Sequence, residues 1–155
     1  MKRTSIVFFI TFLFLVIMSA CKENEYMDWK LMNDRWYSVH KNDSGYVTTS
    51  SGLCYQVVHQ GYGRKPNASS VIIVNYKGRL IDSSVFDSIA PGSTTSMYLS
   101  NAVKGWQEGI LKMNGGGCYR FIVPSSLGYG TSTSNSEIPA NSVLRFEVNL
   151  VDSYN

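Results

Sequence analysis

The chain has 155 residues, of which 44% are hydrophobic and 16% are charged, a composition typical of one small globular domain with a short extension. Fourteen lysines and arginines face eleven aspartates and glutamates, and the cations form no basic block. The chain therefore lacks the electrostatic signature of a nucleic-acid-binding protein.

The first twenty residues have the order of a secretory signal: a basic start, an apolar run too short for a comfortable membrane span, and small residues. Cys21 follows Ser19 and Ala20 directly, and this arrangement resembles a bacterial lipobox. By that resemblance, cleavage before Cys21 removes residues 1–20, and the Cys21 thiol carries a diacylglycerol anchor in the bilayer. An ordinary signal peptide and a single-span anchor remain alternatives.

Residues 21–50 are predicted to form an N-terminal tether that is partly helical. Aromatic residues are mixed there with charged ones at a weakly helical period. These aromatic side chains either pack on the following domain or lie near a lipid surface, and the sequence leaves both possibilities open. A polar turn signal lies within this segment at 42–45, a polar lead-in follows at 48–52, and the domain is assigned to residues 51–155.

The domain has the pattern of several strands and one short helix. β-branched and aromatic residues, in places alternating with polar ones, predict strands at residues 53–59, 71–76, 119–123 and 143–151. Gly78 is expected to break the second of these strands. Residues 102–113 are the helix candidate, since Val103, Trp106, Ile110 and Met113 recur on one helical face. The predicted fold class is α+β, with an antiparallel sheet packed on this helix.

Common catalytic and metal-binding patterns are missing from the sequence. Cys54 and Cys118 are too far apart for a CxxC pair, and the two histidines, His40 and His59, form no cluster. No Gly-x-Ser-x-Gly elbow or phosphate loop is present. Neither a metal nor a cofactor is therefore expected.

An aromatic set surrounds Trp106 in the second half of the chain. Tyr76, Phe86, Tyr129 and Phe146, with a few polar groups such as Asp87, suit the lining of a small-ligand pocket. Large aromatic residues also dominate ordinary cores, and composition alone favours that simpler interpretation.

A series of short motifs decides between these two interpretations. In order they are 74–78 (VNYKG), 86–88 (FDS), 103–109 (VKGWQEG), 123–125 (VPS), 128–130 (GYG), 138–142 (IPANS) and 144–148 (LRFEV). Together they resemble the FKBP-type peptidyl-prolyl cis-trans isomerases over residues 51–152. The resemblance implies a curved antiparallel sheet of about five to six strands wrapped around one short α-helix, with the substrate pocket between them.

The resemblance also assigns roles to individual residues. Trp106 forms the pocket floor, and Tyr76, Phe86 and Phe146 line the walls. The Val103 backbone N–H holds a substrate carbonyl, and Asp87 and Tyr129 lie at the rim. The remaining substrate-binding positions are Met97, Ala102 and Ile138. Met97 and Ala102, with Thr95, depart from the family pattern and predict a wider and softer wall.

The implied activity is isomerisation of X–Pro bonds in unfolded or nascent exported polypeptides, by a monomer anchored in the cell envelope, with outer-membrane placement favoured. Macrolide inhibitors are further candidate ligands. The alternative is a binding module with the same fold, which holds unfolded or proline-containing clients as a chaperone with weak or no catalysis.

In the family fold, the strands carrying Cys54 and Cys118 are neighbours, but the register places the thiols toward opposite ends, which disfavours a disulfide.

Overall fold

The computed structural model describes residues 27–133 and 137–154. In chain order, the elements are α1 (27–40), β1 (Val47–Thr48), β2 (Cys54–His59), β3 (Val71–Arg79), β4 (Val85–Ser88), β5 (Thr95–Tyr98), α2 (Lys104–Ile110), β6 (Gly117–Val123) and β7 (Leu144–Tyr154). Two 3₁₀ turns, Leu99–Asn101 and Ser125–Leu127, follow β5 and β6. The predicted signal segment 1–20 and Cys21 lie outside the described residues. Neither α1, over its described length, nor α2 is long and apolar enough to cross a bilayer.

The strands in the described residues form one antiparallel sheet of seven strands. Six of them follow the order β1-β2-β6-β7-β3-β4, and the seventh is β5. β5 pairs with the first half of β3, on the same edge as β4. The sheet curves around α2, which confirms the predicted α+β fold. The three shortest of its strands, β1, β4 and β5, were not among the predicted strands, and α1 adds a second helix.

Two predicted element boundaries were wrong. β3 does not end before Gly78; it continues to Arg79, and Gly78 pairs with Phe146 on β7 and with Asp87 on β4. The helix predicted over 102–113 is shorter, because Val103 has extended backbone angles and the chain leaves the helix after Ile110. Beyond that point, the N–H groups of Lys112 and Met113 bond three residues back, in tight turns.

The main core lies between the concave face of the sheet and α2. On β7, every second side chain from Leu144 to Leu150 is buried, which confirms the predicted alternation. From α2, Trp106 and Ile110 point into the same core. Burial of one such aliphatic or aromatic side chain stabilises the fold by about 1.5–3 kcal/mol. The core therefore fixes Trp106 against the sheet.

Helix α1 packs on the domain through one face. The Trp29 indole donates a hydrogen bond to Ser142 Oγ at 3.0 Å. Asn33 is fully buried, and its Oδ1 accepts a hydrogen bond from the Val143 backbone N–H at 2.8 Å. Trp36 packs against a second small cluster on the outer side of the sheet. Trp29 and Trp36 thus contact the domain, which was one of the two alternatives left open by the sequence.

The two cysteines of the domain are free thiols at opposite ends of the β2–β6 pairing. Cys54 lies opposite Ile122, whereas Cys118 lies opposite His59. This separation agrees with the register inferred from the family resemblance.

Candidate functional site

The walls of the site arise from the alternation of side chains along β3 and β7. Tyr76 and Phe146 both face the concave side and are almost fully buried. Gly78 lies on the same face, directly opposite Phe146 in the strand pairing. A Cβ at Gly78 would lie 2.6 Å from Phe86 Cζ and 3.0 Å from Phe146 Cε1. The two rings therefore meet in the space that a side chain at Gly78 would occupy.

The floor of the site is Trp106, in the first turn of α2. It is 4% exposed. The helix can approach the sheet closely because Gly109, one turn further on, has no side chain. A Cβ there would lie 2.7 Å from Phe121 Cε1 on β6. Close packing of α2 on β6 holds the indole at a fixed depth beneath the walls.

Edge-to-face contacts join the four rings of the site. Trp106 meets Tyr76 at a centroid distance of 4.9 Å and Phe146 at 5.3 Å, with interplanar angles of 85° and 78°. Phe86 meets Phe146 at 5.5 Å and 88°. Such pairs contribute about 0.5–1.5 kcal/mol each beyond the area that they bury. The rings therefore form a preorganised apolar frame.

One hydrogen bond ties the rim to the wall. The Tyr76 hydroxyl donates to Asp87 Oδ2 at 2.5 Å. Burial, followed by this bond to Asp87, raises the pKa of the Tyr76 phenol above its usual value. The phenol therefore stays protonated at neutral pH and continues to orient the Asp87 carboxylate.

The turn before α2 presents a free backbone donor. The Val103 carbonyl accepts hydrogen bonds from the N–H groups of Trp106 and Gln107. The Val103 N–H has no acceptor within residues 27–133 and 137–154. Gln107 fastens this turn, because its Nε2 donates to the Ala102 carbonyl at 2.8 Å and to the Ser100 carbonyl at 3.2 Å. The donor is therefore held in place by a side chain outside the cavity.

These groups enclose a cavity of about 240 Å³. The residues lining it are Tyr76, Phe86, Asp87, Met97, Asn101, Ala102, Val103, Trp106, Tyr129 and Phe146. Nine of the ten site residues that the sequence suggested are thus brought together. The tenth, Ile138, is buried in the adjoining core and is not part of the lining.

The sequence did not suggest three residues that shape this site. Asn101 lines the cavity, but a lone polar residue in a short turn carries no distinctive sequence signal. Gln107 and Gly78 act through neighbours and do not line the cavity themselves. Both residues lie within motifs of the family resemblance, at 74–78 and 103–109, and that position is the signal that could have indicated them.

Metal ligands are not grouped in the described part of the chain. No cluster of three or more His, Cys, Asp or Glu side chains occurs in residues 27–133 and 137–154. The groups that the site presents are an apolar, preorganised surface with a free N–H, a carboxylate and the Tyr129 phenol at its edge.

An antiparallel sheet wrapped on one short helix, with an aromatic pocket between them, defines the class of protein. Residues 62–151 match the family model described as FKBP-type peptidyl-prolyl cis-trans isomerase. The chain belongs to this family.

Individual relatives agree with this assignment. The chain is 41% identical over 134 residues to the FKBP-type peptidyl-prolyl cis-trans isomerase FkpA of Escherichia coli K12, covering 86% of this chain and 49% of the relative. It is 34% identical over 123 residues to the outer membrane protein MIP of Legionella longbeachae, covering 79% of this chain and 53% of that protein. The chain thus spans about half the length of the curated relatives it matches.

A solved structure shows the same architecture. The crystal structure of FkpA from Escherichia coli superposes with a TM-score of 0.83 at 32% sequence identity, covering 99% of this chain and 73% of that one. The sheet and α2 described above are therefore arranged as in a known member of the family.

Proposed function

We propose that this chain is a peptidyl-prolyl cis-trans isomerase that acts on X–Pro bonds of unfolded or nascent exported polypeptides. The observation that carries the proposal is the frame of four rings, Tyr76, Phe86, Trp106 and Phe146, joined edge to face around one cavity. A proline ring is apolar and compact, and it fits such a frame.

The reaction needs no nucleophile or metal. Rotation about a peptide bond crosses a barrier of about 18–20 kcal/mol because resonance is lost in the twisted state. The twisted amide has less charge separation than the planar one, so removal of water favours the twisted form. An apolar pocket therefore lowers the barrier by binding the transition state more tightly than the ground state.

Each group of the site has a place in this mechanism. Trp106 supports the proline ring from below, and Phe146 and Tyr76 hold it laterally. The free Val103 N–H would donate to a substrate carbonyl and fix the chain on one side of the rotating bond. Asp87 and Tyr129 lie at the exposed rim, where the rest of the polypeptide enters.

The ranking of three variants tests this assignment. Trp106→Ala and Phe146→Ala remove parts of the frame and should lower kcat/KM in a protease-free proline-peptide assay by about 10- to 100-fold. Asp87→Asn keeps the shape of the rim and can still accept a hydrogen bond from Tyr76, so its loss should be smaller. An equal or reversed order of these losses contradicts the desolvation mechanism.

The wall formed by Met97 and Ala102 sets the fit of the pocket. Methionine is flexible, so this wall can adapt to different side chains that precede the proline. Macrolide inhibitors of the family are candidate ligands of the same cavity. Competition between such a macrolide and a proline peptide, measured with wild type and Trp106→Ala, tests whether both occupy it.

The cell envelope is the proposed location. Residues 1–20 would act as the signal, Cys21 as the lipidated residue, and residues 21–50 as the segment that joins the anchor to the isomerase domain of 51–155. The sequence pattern supports this proposal, as does similarity to a relative named outer membrane protein MIP. The mass of the mature protein, wild type against Cys21→Ser, tests the lipid, and cell fractionation tests the placement in the outer membrane.

A further inference from the structure

A second concave site lies on the opposite face of the sheet from Trp106. The side chains of β3, β6 and β7 that alternate with the inward-facing ones point outward there. They form a cavity of about 290 Å³, here called the outer pocket. Its outward-facing polar lining includes Asn75, Lys77, Arg79, Arg120, Arg145 and Glu147.

The outer pocket is strongly positive. Four of its lining residues are cations and only one is an acid, which leaves an excess of three positive charges. Arg120 Nε pairs with Glu147 Oε2 at 2.9 Å. Lys77, Arg79 and Arg145 have no carboxylate partner within residues 27–133 and 137–154. The single acid therefore neutralises only part of the local charge.

Two of the cations oppose each other directly. Arg79 on β3 is the cross-strand partner of Arg145 on β7. Like charges in this arrangement destabilise a sheet. Arg145 is held by the Trp36 ring, with its guanidinium carbon 5.3 Å from the ring centroid. A bound anion between the two guanidinium groups would convert this repulsion into two attractions.

The rims make the outer pocket a built cavity and distinguish it from a flat basic surface. On one side, the Asn75 amide donates to the backbone carbonyls of Ile89, Ala90 and Ser93 at 3.4, 3.1 and 2.8 Å. These bonds fasten the loop between β4 and β5 against the sheet. Tyr46 also lines the cavity. The cavity is larger than a single small anion requires.

We propose that the outer pocket binds a phosphate ester of a polyol, either as a free molecule or as a lipid headgroup. Guanidinium groups match phosphate oxygens in charge and in geometry. A phosphate monoester balances more of the excess positive charge than one carboxylate does. The amide of Asn149 and the hydroxyl of Tyr46 lie in the lining and suit the polyol.

Calorimetric titration of the full chain in zwitterionic detergent, at low salt, tests the site. The soluble probe is glycerol phosphate, and the lipid probe is phosphatidic acid in mixed micelles, with phosphatidylcholine as its neutral counterpart. Arg79→Gln should weaken binding about tenfold, because one charged hydrogen-bonding partner is lost. Glu147→Gln removes the acid of the pocket and should tighten binding ~3-fold.

Two further variants control for loss of stability and for the change of net charge. Lys77→Gln removes a different cation and should also weaken binding. It takes the place of Arg79→Gln in the test if that variant proves unstable. Arg35→Gln makes the same change of net charge on the exposed face of α1 and should leave binding unchanged. Isomerase activity should be the same in all four variants, because none of these side chains faces the proline pocket.

Binding of glycerol phosphate with these shifts supports a soluble ligand, and binding confined to phosphatidic acid micelles with the same shifts supports a headgroup. The proposal is overturned if neither glycerol phosphate nor phosphatidic acid binds, or if Arg35→Gln weakens binding as much as Arg79→Gln.

Discussion

Replacement of Gly78 by alanine would place a methyl group where two pocket rings already meet. The new Cβ would lie 2.6 and 2.8 Å from Phe86 Cζ and Cε2, and 3.0 Å from Phe146 Cε1. Carbon atoms prefer separations of about 3.5–4.0 Å, so the rings must shift by roughly 1 Å. Overpacking of this kind costs about 1–3 kcal/mol of stability. A displacement of this size in a preorganised site can lower the rate by about 100-fold.

Two measurements separate the effect on activity from the effect on folding. Urea unfolding gives the loss of stability, and a protease-free proline-peptide assay, run well below the transition, gives kcat/KM. We expect kcat/KM to fall about 10- to 100-fold while the protein remains folded.

Gly115→Ala is the matched control, since a Cβ there has its nearest neighbours at 3.4 Å and lies away from the pocket. In a Phe86→Leu background, Gly78→Ala should cost less stability, because part of the clash is gone. Wild-type activity in folded Gly78→Ala would refute the assignment of Gly78 as a positioning residue for the rings.

Three further predictions concern groups around the site. Asn33→Ala should lower the free energy of unfolding by about 1–3 kcal/mol, because a buried backbone N–H loses its acceptor; Asn42→Ala, on an exposed turn, is the control in the same urea titration. Gln107→Ala should lower kcat/KM by about 3- to 10-fold by loosening the turn that presents the free N–H, with little change in stability, and unchanged kinetics would argue against this role. Burial, and then the Cys54 thiol, raise the pKa of Tyr37 from 10.0 to about 12. The folded state thus holds the phenolic proton more tightly, so this stabilisation is complete below pH 10 and disappears as the pH rises through about 12. Stability of Tyr37→Phe should fall less steeply over that window, and parallel curves would contradict the assignment.

The sequence predicted the long strands because each carries its own pattern. On β7, apolar and polar residues alternate over its whole buried length, so one face is specified without reference to any neighbour. The short strands β4 and β5 carry no such signal, since most of their side chains are exposed. Their structure comes from backbone pairing with β3, which is a tertiary contact. A strand that forms only by pairing with a neighbouring strand therefore leaves no recognisable pattern in its own sequence.

The site was predictable only from residues considered together. Trp106, Tyr76 and Phe146 come from different elements, and any one of them alone suits an ordinary core. The ordered motifs of the family resemblance joined them. Gly78 illustrates the limit, because a glycine in a strand is usually a weak point, and the sequence therefore suggested a break. The reason for the glycine is the space that two aromatic rings require, which only their three-dimensional arrangement reveals.

The same alternation that builds the proline pocket also builds the outer pocket. Gly78 faces the rings, and the next residue, Arg79, faces the cationic cavity on the other side of one backbone layer. Adjacent substitutions should therefore act on different faces. Gly78→Ala should lower isomerase activity and leave phosphate binding intact, whereas Arg79→Gln should weaken phosphate binding and leave isomerase activity intact. Gly78 pairs with Phe146 and Arg79 pairs with Arg145, so the two substitutions act on different cross-strand pairs. If either substitution changed both readouts by similar factors, the two sites could not be treated as separate.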